Sequence, residues 1–250
     1  MTTPSSTKSR ADTGTERGLK EITVLDTDAD LAVVMKRFMQ GQRVAGRKVE
    51  ILEAGCGNRW FVELDGLDYR LTGVDLDAAA IKIRKEKWRD LDEAVIGDLR
   101  TVDLGERKFD IIYNAYVLEH IDGAEEVLKR FVGWLKPNGI IVLRIPDAQS
   151  VYGLITRTTP HWFHVFYYRY ILGFKSAGKP GYAPYPTYYD AVVSRAGLHA
   201  FAQCNSLKVE AEFGLGHDRL KLFKRIVNLL SFGRYADKHT NLFYVLRTGA

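Results

Sequence analysis

Between Val49 and Asp75 the sequence runs from an apolar stretch, VEIL, through Gly55-Cys56-Gly57 to a second extended stretch, Tyr69 to Val74, that stops on an acid. Glycines at the end of a strand let backbone approach a ligand closely. A carboxylate at the end of the next strand can accept from the two hydroxyls of a ribose. That is a physical recipe for holding a nucleoside, and it commits the chain to strands alternating with helices. The dinucleotide version of the recipe fits less well, because it wants a small residue where Trp60 stands.

The alternation continues on both sides. TDADLAVVMKRFMQ, from Asp26 on, predicts a capped amphipathic helix with Leu31, Val34, Met35 and Phe38 on one face. A short helix is expected near Asn58–Leu64, and another from Asp77, with Ile81, Ile83 and Trp88 as its core contacts. Ala94–Gly97, Phe109–Tyr113 and Ile140–Ile145 read as further strands, with the helix EEVLKRFVGWLK before the last of them. Beyond Pro146 come a helix in YYDAVVSRAGLHAFAQCN and two late strands, LKVEAEF and NLFYVLR, which suggest an antiparallel end to the sheet. Residues 1–19 are polar and read as a disordered tail, leaving 20–250 as one domain.

Composition excludes several classes. No run approaches the ~18 apolar residues of a membrane span, and the polar N-terminus lacks a secretory apolar stretch. Two cysteines, Cys56 and Cys204, give neither a disulfide framework nor metal-ligand spacing. A cytoplasmic protein is expected. Charge is unevenly divided: residues 151–250 hold 13 Lys and Arg against 5 Asp and Glu, and the first 150 hold 23 against 26. The basic part suits an acidic substrate, a nucleic acid, an anionic membrane surface or simply a solvated face.

Five segments in order carry a family likeness: EAGCG at 53–57, GVD at 73–75, GD at 97–98, FDIIYNAYVLEHI at 109–121 and LKPNGIIVLRIP at 135–146. Over about residues 45–150 the chain resembles the class I S-adenosylmethionine-dependent methyltransferases, in their type-11-like branch. The resemblance implies a Rossmann-like α/β fold, a seven-stranded, mostly parallel sheet with helices on both faces, the last strand antiparallel. It implies S-adenosyl-L-methionine as cofactor, with Glu53 and the Gly55, Cys56 and Gly57 backbone at the methionine part, Glu53 facing its ammonium. Asp75, followed by Leu76, would take the ribose, Asp98 the adenine amine, Leu99 the ring, and Asn114 the methionine side. Arg59 stands where many members have a third glycine.

Methyl transfer from a sulfonium needs alignment and, for a hydroxyl or amine acceptor, a place for the proton. His120 is the first candidate base, with His161 and His164 as alternatives; the competing reading makes His120 a cap or buttress for the helix at Asp122. Some similar quinone methyltransferases place an acid three residues before the Glu-His pair and bind a metal. Tyr116 stands at that position here, so no metal is expected.

Residues 147–190 read as an aromatic-rich insertion after strand five that covers the acceptor. Twelve of the chain's 29 aromatic residues fall in 151–190, and Tyr152, Trp162, Phe163 and Tyr167, with Tyr116, are the candidate lining. A satellite core or a dimer contact would use the same composition. A second insertion, 216–238, holds a basic amphipathic helix, DRLKLFKRIVNLLS, with Leu220, Phe223, Ile226, Val227 and Leu230 on one arc and Lys221, Lys224, Arg225 and Asn228 opposite. Packing on the body is the default expectation for it, and a peripheral membrane contact the sharper one. The expected partner is a small or lipophilic acceptor, methylated at oxygen, and not a nucleic acid. An RNA methyltransferase or a non-catalytic cofactor binder are the alternatives, and oligomeric state is left open.

Overall fold

The computed structural model describes residues 21–171, 173–178, 185–188, 190–216, 221–230, 232 and 238–249. The predicted tail at 1–19 lies outside them. Strands β1 (Thr23–Leu25), β2 (Val49–Ala54), β3 (Tyr69–Asp75), β4 (Glu93–Ile96), β5 (Phe109–Ala115), β6 (Leu135–Pro146), β7 (Leu207–Leu215) and β8 (Asn241–Thr248) form one eight-stranded sheet. Their order is β1-β7-β8-β6-β5-β2-β3-β4. Every neighbouring pair is parallel except the two that β8 makes with β6 and β7. The expectation of seven strands is therefore one short. The extra strand, β1, has only three residues, too few for a periodic pattern, and it exists because it pairs with Phe213–Leu215 of β7.

Two-residue periodicity builds the two sides of the core. Leu52, Ala54, Ile112, Ile141, Leu143, Leu242 and Tyr244 face one cluster, with Val127, Phe131, Leu198 and Phe201 of helices α3 (Ala124–Trp134) and α6 (Arg195–Cys204). The intervening residues Ile51, Ile111, Tyr113, Val142, Phe243 and Val245 face the other, with Leu31, Met35 and Met39 of α1 (Asp28–Gln40). Strands buried on both faces read as continuous apolar runs, as these do. Helix α1 is capped by Thr27, whose side chain accepts from the Asp30 amide.

Two local expectations fail. No helix forms at 58–64. Val62 and Leu64 are buried while Phe61 and Glu63 are exposed, and Trp60 stands edge-on to Tyr113 with ring centroids 5.5 Å apart. That segment buries alternate residues, which an extended chain does and a helix does not. Helix α2 (Ala78–Ile83) starts at the Asp77 cap as expected, but it runs into a π turn, Arg84–Trp88. The wider turn shifts the inward positions. Ile81 is buried, Ile83 and Trp88 are exposed, and the fully buried side chain is Arg84.

Candidate active site

The acids expected to bind a nucleoside sit at the C-terminal ends of β3 and β4, beside the glycine turn that follows β2. Gly55 has φ +76°, and a Cβ there would lie 2.4 Å from the Val117 side chain. Gly57 has φ +54° and only open space where a Cβ would stand, so the turn offers bare backbone to a ligand. The Gly55 and Cys56 amides donate to the Val74 carbonyl, tying the turn to β3. Cys56 contributes backbone only: its thiol is buried, and burial pushes it up to about 12.

Asp75 is held from below. Its Oδ2 accepts from the Gly57 amide at 2.7 Å and its Oδ1 from the Asp77 amide at 2.8 Å. Each oxygen keeps a second acceptor site, enough for a vicinal diol. Leu76, which follows Asp75, and Ile96, which precedes Gly97-Asp98, are both exposed. Arg100 grips Asp98 through Nη2 at 2.6 Å and Nε at 3.1 Å and holds its carboxyl below the usual range. Leu99 is buried in the core. Asn114 is buried, donates from Nδ2 to the Ala54 carbonyl at 2.7 Å, and leaves Oδ1 buried without a partner. An orphaned acceptor beside the glycine turn calls for a donor.

Glu53, expected to face an ammonium, is buried and paired through one oxygen with Arg84. Its Oε2 accepts from Nη1 of Arg84 at 2.8 Å; the same Nη1 donates to the Cys56 carbonyl, and Nε donates to Asp90. Burial raises the Glu53 carboxyl, and the Arg84 charge opposes that rise. The pair braces the turn from behind. The acceptor left open beside the turn is Asn114 Oδ1.

On the other side of β2, β5 leads into a single 3-10 turn, Leu118–His120. The Pro186 carbonyl lies 2.7 Å from His120 Nδ1. A carbonyl only accepts, so Nδ1 carries the proton and Nε2 keeps its lone pair. Burial holds the imidazole below its ordinary value. His120 does not cap the following helix, whose N-cap is Gly123 with no side-chain bond. Tyr185 stands edge-on to His120, centroids 5.6 Å apart, and feels the charges of Asp77 and Asp75. The Tyr188 amide donates to the Glu119 carbonyl at 2.9 Å. Residues 185–188 thus fasten the insertion to the 3-10 turn after β5.

Three groups here were not singled out from sequence. Glu119 is buried with Oε2 unpartnered, and burial pushes its carboxyl up to about 7. Arg144, on β6, donates to the Tyr116 hydroxyl at 3.3 Å and lies over its ring; its nearest carboxylate is exposed Asp28 at 3.8 Å, and its Nε is buried and unpartnered. Tyr116 itself has φ +57°, a conformation in which its amide reaches the Arg144 carbonyl at 2.8 Å. Tyr185 was counted only among the aromatics.

The remaining candidates are dispersed. His164 is tied down locally, its Nε2 2.9 Å from the Thr159 hydroxyl and 3.2 Å from its carbonyl, so it serves the turn between helices rather than a substrate. Trp162 and Phe163 on α5 (His161–Phe166), with Tyr167 of the π turn Tyr167–Ile171, are exposed. Among the described residues no hydrogen bond or ring contact joins them to His120 or the strand-end acids. The side chains of Tyr152 and His161 lie outside the described ones.

A parallel sheet with one antiparallel strand next to its edge pair, and acids at the ends of β3 and β4, defines the class I methyltransferase fold. Residues 52–143 match the type-11 family described as a methyltransferase domain. Over that stretch, less than half of its length, the chain matches a methyltransferase domain, and Asp75, Gly57 and Asn114 suit S-adenosylmethionine as the cofactor. Phosphoethanolamine N-methyltransferase 1 of Arabidopsis thaliana is 28% identical over 112 residues, 43% of this chain and 23% of that protein. The matched stretch thus spans about a quarter of that relative's length. A putative sarcosine dimethylglycine methyltransferase from Galdieria sulphuraria shares the fold with a TM-score of 0.55 at 15% identity, over 92% of each chain. A Methanosarcina mazei methyltransferase does so with a TM-score of 0.54 at 13% identity, over 90% of this chain and 99% of that one.

Proposed function

We propose that the protein methylates a small or lipophilic acceptor at oxygen, with His120 Nε2 as the base. When bound, S-adenosylmethionine supplies an activated methyl group with a good leaving group already in place. Asp75 holds the ribose, and Asn114 Oδ1 takes a donor of the methionine part. The segment 185–188 covers His120 and limits water there. The observation that carries the oxygen reading is the fixed tautomer of His120. The Pro186 carbonyl keeps the proton on Nδ1, and burial keeps the ring neutral, so Nε2 is ready to accept a hydroxyl proton.

A second reading, methylation of an amine, is favoured by Arg144. A cation lined by Tyr116, whose carboxylate partner is the exposed Asp28 at 3.8 Å, suits an acceptor that carries its own anion, and the curated relatives are named for phosphoethanolamine. Mass spectrometry of products from a panel of phenols, fatty-chain alcohols and aminoethyl phosphates separates the two. Turnover of hydroxyl acceptors that fails in His120→Ala supports the first. Turnover of amines alone, indifferent to that substitution, would replace it with the second.

A further inference from the structure

The second half of helix α7 (Lys221–Leu230) leaves in solvent apolar side chains that a surface helix ordinarily buries. At helical spacing, Phe223, Ile226, Val227, Leu229 and Leu230 fall on one arc, and Lys221, Lys224, Arg225 and Asn228 on the other. Packing on the body was the expected use of the apolar arc. In the fold, Ile226 is exposed, Leu229 and Leu230 are 76% and 74% exposed, and Phe232 just beyond is 99% exposed. The helix packs against α4 (Val151–Thr158) of the aromatic insertion. From α4 the chain passes through Pro160 into α5 and its π turn, which expose Trp162, Phe166 and Tyr170. Two insertions distant in sequence therefore meet, and both leave large apolar side chains in water. Scattered exposed residues need no explanation, but a patch shared by neighbouring elements does.

We infer that α7, together with α5, docks the protein onto the surface of an anionic lipid bilayer. Charge selects this occupant. The helix carries three basic residues and no acid, within a C-terminal hundred residues that hold 13 bases and 5 acids. A second copy of the chain would set like charge against like. An anionic headgroup layer would neutralise the bases while the leucines and Phe232 enter the acyl boundary, and Trp and Tyr settle at headgroup level. Among the described residues no helix is long and apolar enough to cross a membrane, so the contact lies in the interface plane.

Flotation of the full-length protein with phosphatidylcholine vesicles, with and without phosphatidylglycerol, tests this. The anionic vesicles should bind at least about tenfold more tightly, and raised salt should weaken that binding. The double variant Leu229→Ser, Leu230→Ser should lose about tenfold or more in vesicle affinity. Its thermal midpoint and S-adenosylhomocysteine affinity should match the parent, since both side chains are already exposed. The triple variant Lys221→Gln, Lys224→Gln, Arg225→Gln should lose the preference for anionic lipid. Equal or absent binding to the two vesicle types overturns the inference, as does a double serine variant that binds like the parent. A concentration-dependent dimer that the serines dissolve, without vesicle binding, would assign the face to a second copy instead.

Discussion

Asp75 and Glu119 stand on opposite sides of β2, one at the end of β3 and one in the turn after β5, and their surroundings differ in kind. Both oxygens of Asp75 already accept backbone amides while the carboxylate stays partly exposed. Glu119 is buried, with one oxygen that meets nothing, and among the described residues its ion-pair neighbour is His120, a neutral ring whose Nε2 is 3.9 Å away. The same contrast separates Asp98, gripped by Arg100, from Arg144, whose Nε has no partner. The nucleoside side is preorganised by its own chain. The turn after β5 and the end of β6 hold Glu119 and Arg144, each with a buried polar atom that meets nothing, and leaving them so costs stability.

The sharpest way to break that picture is through Arg84, whose ion pair with Glu53 braces the glycine turn. Arg84→Met leaves Glu53 buried without its cation and should destabilise the protein by about 3–5 kcal/mol. Urea denaturation measures it, and a loss below about 1 kcal/mol would mean that Glu53 does not depend on the pair. In the turn after β5, His120→Ala should lower kcat by ~10²–10⁴ with S-adenosylhomocysteine affinity nearly intact. In the parent, the rate should persist to a pH below the ordinary imidazole value, because the ring's folded value is lowered and Nε2 stays unprotonated. A drop of less than about threefold removes His120 from the role.

Glu119 gives a pH signature. Its ordinary value is 4.5 and its folded value about 7, so between them the folded protein holds a proton that the unfolded chain has released. Unfolding then gives up a proton, and stability should fall as pH rises through that window, by about 3 kcal/mol in total. Glu119→Gln should flatten the dependence, and an unchanged slope in that variant would place its origin elsewhere. The smallest effect belongs to the group that is already satisfied: Asp75→Ala should weaken S-adenosylmethionine binding by about 1–3 kcal/mol in calorimetry. Unchanged affinity would dissolve the distinction between the two sides.

Strand positions were legible because apolar runs bounded by glycines and acids mark them, and with them came Asp75, Asp98 and the turn before His120. The partners were not. Arg84 lies 31 residues from Glu53, and Pro186 lies 66 from His120; no local pattern announces either. Ile83 and Trp88 were misassigned to the core because a π turn moves every later position, and periodicity assumes there is none. The segment 58–64 was read from the usual strand-turn-helix unit, although its own burial pattern alternates. His164 is held by Thr159, five residues away, a contact that its sequence neighbourhood does not announce.

The placement of β8 has a consequence for how the molecule comes to be assembled. It is the latest strand of the sheet in chain order, yet it lies between β6 and β7, and β1 joins only through β7. Until Asn241–Thr248 has left the ribosome, β6 has a bare edge, and the β1–β7 pair has nothing to attach to. The earliest strand made is thus among the last to be docked, and closure must wait for contacts of very long sequence separation. A nascent chain stopped before Asn241 should hold the cofactor turn on β2, β3 and β5 while its open edge recruits other chains. Light scattering of stalled or truncated chains would reveal that stickiness, and its absence would mean that β6 is capped by some other segment in the interval.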